Sequence, residues 1–100
     1  MSINDVFRAL GDPTRREIVR LLRKRDMTAG EIAERFPLAK STLSGHFNVL
    51  KYAGLIVSEK RGTVVVYSIN ESAFDGAVAA VMDVLGVGTP RKSASKTGKS

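Results

Sequence analysis

The segment from Lys40 to His46 carries side chains suited to contact a polyanion, because every residue except Leu43 is polar or is glycine. Lys40 can reach a phosphate or the edge of a guanine, and short hydroxyl side chains can donate to phosphates or to base edges. Helix capping and solvation remain the alternative interpretation for each single position. The candidate DNA contacts in this segment are Lys40, Ser41, Thr42, Ser44 and His46.

A second basic pair, Lys60 and Arg61, stands before Gly62 between two runs rich in β-forming residues. A glycine turn between such runs predicts a β-hairpin. Because neither cation has an apolar neighbour to cover, the predicted tip suits a clamp on backbone phosphates. A solvated turn is the alternative.

His46 is the only histidine, and the chain has no cysteine. This composition excludes disulfides, thiolate metal sites and cysteine nucleophiles. We interpret His46 as facing DNA or positioning its helix, with a purely structural role as the alternative. Since the chain has no nucleophile–base pair and no phosphate-cradling glycine loop, we expect no enzyme activity, no metal and no cofactor.

Hydrophobic periodicity and capping signals predict the elements that position these residues. Asp12 and Pro13 begin a helix, Thr28 and Glu31 form a capping box before another, and Gly54 ends a third. The predicted helices span 3–10, 13 to about 24, 29 to about 35, 40–53 and 71–85, with strands at 55–59 and 63–69.

This order predicts a mainly α fold with a small β-hairpin, the winged helix-turn-helix arrangement α-α-α-α-β-β-α. The helix that starts at Lys40 would enter the major groove, braced by the short helix before it. The arginines of the second helix fall mostly on its outer side, where we interpret them as solvated. They are Arg15, Arg16, Arg20 and Arg23.

The chain of 100 residues predicts one domain at 1–86 and a disordered basic tail at 87–100, which has too few apolar residues to form a core. The net charge is +6. Four cations lie in the tail and all the acids precede it, so the domain is nearly neutral. DNA binding by the domain must therefore depend on where its cations lie.

Apolar stripes on the first and last helices exceed what one small domain can bury, so we expect these helices to pair across a homodimer. The N-terminus has no basic and apolar targeting pattern, and no run is long enough to span a membrane. We therefore expect a cytoplasmic protein without membrane contact. The predicted dimer residues are Val6, Phe7, Phe74, Val78, Val81, Met82 and Leu85.

The chain resembles the ArsR/SmtB family of bacterial repressors, and within it the metal-independent SdpR-like branch. Residues 9–19, 28–33, 41–51 and 53–56 carry this resemblance, which extends over about 3–86. It implies a dimer joined by the first and last helices, an operator with inverted repeats, and repression relieved by an inducer. The residues themselves are equally compatible with a small apolar ligand, a partner protein or no effector. Metal-sensing members carry cysteines in the short helix or Asp, His and Glu in the last one, and this chain matches neither pattern.

We therefore expect a sequence-specific repressor that binds double-stranded DNA as a homodimer, with autorepression as one arrangement common in the resembled branch. One alternative is an architectural binder that relies on the basic tail. The other is a protein-interaction module that uses the last helix. Gly45, inside the helix that would read DNA, costs that helix about 1 kcal/mol relative to alanine.

Overall fold

The structure, a computed structural model, describes residues 2–87. Within this range the chain forms five helices and three strands, and the predicted mainly α fold with a small sheet is confirmed. The elements are α1 (Ile3–Leu10), α2 (Pro13–Lys24), β1 (Met27–Thr28), α3 (Ala29–Ala33), α4 (Lys40–Tyr52), β2 (Ile56–Arg61), β3 (Val64–Ile69) and α5 (Glu71–Leu85).

The helix starts follow the capping residues of the sequence. Asp12 accepts a hydrogen bond of 3.1 Å from the Arg15 amide, with Pro13 in the first turn of α2. At α3 the predicted capping box is confirmed. The Thr28 hydroxyl accepts from the Glu31 amide at 3.0 Å, and the Glu31 carboxylate accepts from the Thr28 amide at 2.8 Å. These bonds satisfy amides that have no partner inside the helix.

Helix α4 ends where Gly54 takes a positive φ of 80°. That conformation, which is costly for other residues, lets the Leu55 amide donate to the Leu50 carbonyl at 3.1 Å. Leu55 is then fully buried directly before β2. The tight turn fixes how the hairpin leaves the helix.

The core lies between α2, α4 and the inner side of the sheet, and α1 and α5 close it. Phe47 of α4 stacks on Tyr67 of β3 with ring centroids 4.3 Å apart, so the sheet packs directly against α4. The largest fully buried side chains are Ile18, Met27, Ile32, Leu43, Leu50, Leu55 and Val6.

The sheet has three antiparallel strands in the order β1-β3-β2, whereas the sequence predicted only a two-stranded hairpin. The additional strand pairs Met27 with Tyr67 and Thr28 with Val66. A strand of two residues has no alternating pattern to detect, because alternation needs about four residues. Strand β1 therefore joins the base of the hairpin to the start of α3.

The prediction that Lys60 and Arg61 form the hairpin tip is wrong. Both residues belong to β2, where Lys60 pairs with Val65 and Arg61 with Val64. The turn consists of Gly62 and Thr63, and Gly62 has a φ of 64°. Because a two-residue hairpin turn needs positive φ, the glycine marks the turn better than the charges do.

Helix α5 ends at Gly86, whose φ of 68° gives a left-handed cap. The boundary predicted at residue 86 thus coincides with the end of the last helix. The predicted tail, 87–100, lies outside the described residues except for Val87.

Candidate nucleic-acid interface

Helix α4 turns one face to the core and leaves the opposite face in solvent. Leu43, Phe47 and Leu50 form the buried face, with exposures of 4% or less. Because a helix turns by about 100° per residue, residues three or four positions apart lie on the same face. Four such residues lie at the centre of the face opposite the core. They are Ser41, Gly45, Asn48 and Tyr52, all exposed.

The predicted contacts in the first turns of α4 are all exposed. Lys40 and Ser44 lie on the side next to α3, where they border a shallow groove with Gly30. Ser41 lies at the centre of the free face, and Thr42 lies on its other side. Together these side chains form a polar surface at the positive end of the helix, where the dipole favours a phosphate.

His46 lies apart from that surface. Its side chain is only 16% exposed, and Nδ1 lies 3.1 Å from Nη1 of Arg15 and 3.9 Å from Oδ2 of Asp12. This position favours the helix-positioning interpretation over direct contact with DNA. Because arginine has only donors, the imidazole Nδ1 is the acceptor in the short contact.

Arg15 was interpreted from the sequence as a solvated residue, but it is half-buried, and each of its three guanidinium nitrogens makes a hydrogen bond. Nε donates to the Ala9 carbonyl at 2.7 Å, and Nη2 donates to the Arg8 carbonyl at 3.0 Å. These carbonyls belong to the last turn of α1, beyond the reach of the regular helical bonds, and the Arg8 carbonyl also accepts from the Gly11 amide at 3.2 Å. The bond to His46 connects residues 31 positions apart, so no local pattern marks it.

The Asp12 carboxylate beside this arrangement is held in its charged form. The hydrogen bond donated by the Arg15 amide is the main cause that lowers the pKa of Asp12 below its ordinary value of 3.8. Hydrogen bonds to a carboxylate favour the ionised state. At neutral pH Asp12 therefore serves as a charged cap for α2.

The two cations of β2 point to opposite sides of the sheet, because successive side chains of a strand alternate. Lys60 shares a side with Tyr67, the residue that stacks on α4. Arg61 lies on the other side with Glu59 and forms an ion pair of 2.9 Å with it. Lys60 is thus the cation of this pair that shares a side with α4.

Asn48 was not among the predicted contacts. It lies at the centre of the free face, seven residues after Ser41. A side-chain amide offers a donor and an acceptor together, which is the pattern that pairs with the major-groove edge of adenine. The helical spacing that places Ser41 on the exposed face, if followed past His46, also places Asn48 there, so the sequence contained a signal for this residue.

The predicted dimer residues divide into three groups. Val6 is 1% exposed and belongs to the core of its own chain, so it presents almost no free surface. Phe7 and Val78 are exposed by 46% and 41%, and Leu85 by 67%. The half-buried members are Phe74, Val81 and Met82.

An apolar groove of about 180 Å³ runs between α1 and α5. Val78 lies on its wall, and Phe7 does not line it. The groove wall is almost entirely apolar. Its lining residues are Val6, Leu10, Leu55, Phe74, Ala77, Val78, Val81 and Met82.

Between residues 2 and 87, the longest helix has 15 residues, and none is long and apolar enough to cross a membrane. The same part of the chain contains no group of three or more side chains placed to hold a metal ion.

Comparison with known proteins agrees with this geometry. The family model for bacterial regulatory proteins of the arsR family matches residues 12–58. The chain is 40% identical over 86 residues to the transcriptional repressor SdpR of Bacillus subtilis. The aligned region covers 86% of this chain and 96% of that protein. The chain belongs to the ArsR family. It is a transcriptional regulator of the DNA-binding winged helix-turn-helix class.

Two further similar proteins support the assignment. The arsenical resistance operon repressor of Staphylococcus xylosus is 30% identical over 73 residues, with 73% of this chain and 70% of that protein covered. A solved ArsR-like transcriptional regulator from Rhodococcus sp. RHA1 superimposes with a TM-score of 0.72 at 31% identity. The superposition covers 84% of this chain and 78% of the other.

Proposed function

We propose that this ArsR-family chain is a sequence-specific repressor that binds an inverted-repeat operator as a homodimer in the cytoplasm. The observation that carries the proposal is the free face of α4, where Ser41, Gly45 and Asn48 are exposed while the opposite face is buried. A helix with one polar free face can lie in a major groove about 12 Å wide.

Phosphate contacts would come from a few well-placed cations. Lys40 stands at the first turn of α4, and Lys60 lies on the α4 side of the hairpin. Phosphate contacts set the register of a protein on DNA, and base contacts supply specificity. Lys40 and Lys60 are suited to phosphate contacts, and Ser41 and Asn48 are suited to base contacts. The presence of both sets supports a protein that binds DNA sequence-specifically.

The homodimer is supported by apolar surface that one chain leaves uncovered. Val78 and Leu85 on α5 are exposed by 41% and 67%, and Phe7 on α1 by 46%. A small domain gains stability when a second copy covers such surface. A two-fold dimer would present two copies of α4, and the operator would mirror that symmetry.

The test is a footprint of the protein on the DNA upstream of its own gene, at two salt concentrations, beside a scrambled DNA of equal composition. We expect two protected half-sites about 34–36 Å apart, one helical turn. We also expect affinity to fall steeply with salt. Equal binding to the scrambled DNA would contradict specific repression, and no binding to either DNA would favour the protein-interaction module.

A variant that ends at Val87 separates the repressor from an architectural binder. If α4 and the hairpin supply the contacts, the truncated protein keeps its half-site pattern and loses only part of its affinity. Near-complete loss of binding would instead assign the interaction to the four cations after residue 90.

A further inference from the structure

We propose that Arg15 is a positioning residue that fixes the orientation of α4 relative to α1. Its guanidinium, the Arg8 and Ala9 carbonyls and His46 Nδ1 form one connected unit, here called the Arg15 bridge. The proposal deepens the proposed function, on which its DNA-binding consequence rests.

The bridge uses all three nitrogens of the guanidinium. Nε and Nη2 donate to the last turn of α1 at 2.7 and 3.0 Å, and Nη1 donates to His46 at 3.1 Å. A planar group with donors in fixed directions holds its acceptors at set angles, which a lysine ammonium cannot do. Arg15 thus joins three helices, because it belongs to α2, caps α1 and bonds to α4.

His46 takes part only in one protonation form. Since Nδ1 accepts from Arg15, the proton of the neutral ring must be on Nε2. The ring is 16% exposed, so little water is available to replace the bond. The bond therefore links the rotation of α4 about its axis to the position of Arg15.

Arg16 provides an internal comparison. Its Nη1 donates to the Leu10 carbonyl at 2.8 Å, so it also caps α1, but that bond does not reach α4. If capping of α1 were the whole role of Arg15, the two arginines would be equivalent. If the bond to His46 orients α4, only Arg15 affects how α4 meets DNA.

The bridge acts between two surfaces of the proposed repressor. Helix α1 carries Phe7, on the proposed dimer surface, and α4 carries the proposed base contacts. In a dimer, the angle between α1 and α4 sets the separation and tilt of the two copies of α4. A small change of that angle in each chain is doubled by the two-fold axis.

The first experiment compares Arg15→Lys with Arg16→Lys, which both keep the net charge. The readout is the ratio of affinity for the footprinted operator to affinity for scrambled DNA. We expect Arg15→Lys to lower this ratio about tenfold, the effect of one or two lost hydrogen bonds, with binding to scrambled DNA unchanged. Arg16→Lys should leave the ratio nearly unchanged. Equal effects of both variants would overturn the proposal.

The second experiment replaces His46. The acceptor Nδ1 of histidine is bonded to Cγ, and so is the acceptor Oδ1 of asparagine. The acceptor Oε1 of glutamine is bonded to Cδ and lies one atom further from the backbone. We expect His46→Asn to keep most of the operator preference and His46→Gln to lose it. If both variants keep the preference, the bond to Arg15 has no positioning role. This pair also decides the matter if Arg15→Lys fails to fold.

A third measurement requires no DNA. Nitrogen-15 NMR of the single imidazole in the free protein should find the proton of the neutral ring on Nε2 and not on Nδ1, with an Nδ1 shift that changes in Arg15→Lys and not in Arg16→Lys. A proton on Nδ1 would overturn the bridge whatever the DNA data. An intact NMR signature together with a wild-type protein that ignores operator sequence would instead reject the proposed repressor function.

Discussion

At the scale of one residue, Gly45 lowers the stability of helix α4, and no contact within the described part of the chain requires a glycine there. A Cβ built at this position meets nothing within 4 Å, and the residue is exposed at the centre of the free face of α4. Helix α5 contains a second exposed glycine, Gly76, which also has nothing within 4 Å. The two glycines form a matched pair, one on the proposed DNA surface and one away from it.

We predict that Gly45→Ala and Gly76→Ala each stabilise the protein by about 1 kcal/mol, because alanine is the better helix former. Only Gly45→Ala should weaken operator binding, since the added methyl group would lie between α4 and the floor of the groove. Urea unfolding and a binding titration measure the two effects. Unchanged operator affinity of Gly45→Ala would remove this position from the interface.

The residues at the start of α4 could be predicted from sequence, and the bridge could not. Polar residues between apolar ones at helical spacing indicate an exposed face, which is why Lys40 and Ser41 are exposed as expected. The partner of His46 is 31 positions away, and that contact depends on how α2 and α4 pack. Periodicity describes one helix at a time and contains no information on such packing.

At the scale of elements, the capping box of α3 makes stability depend on pH. The hydrogen bond from the Thr28 amide is the main cause that lowers the pKa of Glu31 below its ordinary value of 4.5. A carboxyl group whose pKa is lowered on folding stabilises the protein above its unfolded pKa, and this contribution is lost as the pH falls. Its effect should be present at pH 7 and lost in acid.

We predict that Glu31→Ala lowers the free energy of unfolding at pH 7, and that its difference from wild type shrinks at pH 3. Urea titrations at both pH values measure this. Glu34→Ala, which alters an exposed carboxylate just after α3, serves as the control and should change little. A Glu31→Ala difference of equal size at both pH values would contradict the interpretation.

The two sides of the hairpin should differ in DNA binding. Lys60 lies on the α4 side, and Arg61 is paired with Glu59 on the other. We predict that Lys60→Gln weakens operator binding and reduces the salt slope by about one, the effect of one lost phosphate contact. Arg61→Gln should change both less. The reverse order, measured by titrations at several salt concentrations, would place the DNA on the Glu59 side.

The helices were predictable within about two residues because caps and glycines mark their ends. The hairpin was predicted in the right place but its turn was not, since Lys60 and Arg61 are hydrophilic residues within a strand. Positive φ at Gly62, a backbone property, sets that turn. Strand β1 depends on pairing with distant β3 and has almost no signal of its own.

At the scale of the whole molecule, the apolar surface of α1 and α5 determines the expected assembly. We predict that Val78→Glu converts the proposed dimer to a monomer, because a charge on the groove wall is costly to bury in an interface. Val78 is 41% exposed, so the single chain can solvate the new carboxylate and remain folded. Light scattering measures the mass.

Ala79→Glu is the matched control, since Ala79 is exposed on the other side of α5 and does not line the groove. It should leave the dimer intact. A Val78→Glu protein that stays dimeric would move the interface away from the groove. Sequence alone could not divide the apolar stripe into intrachain and free residues. Val6 and Phe7 are both apolar and adjacent, yet the packing of the chain buries Val6 and leaves Phe7 46% exposed.

The short strand β1 has a mechanical consequence. It ties the hairpin to the start of α3, while the Phe47–Tyr67 stack ties the same hairpin to α4. A hairpin held at two points near its base has little freedom to swing, so the fold should fix the distance between the proposed groove contact of α4 and the proposed phosphate contact of the hairpin. One base pair inserted within a half-site moves its outer part by about 3.4 Å and turns it by about a tenth of a turn. If the spacing of the two contacts is fixed, the protein cannot follow that change. We therefore expect operator binding to tolerate a base-pair substitution within a half-site far better than a base-pair insertion.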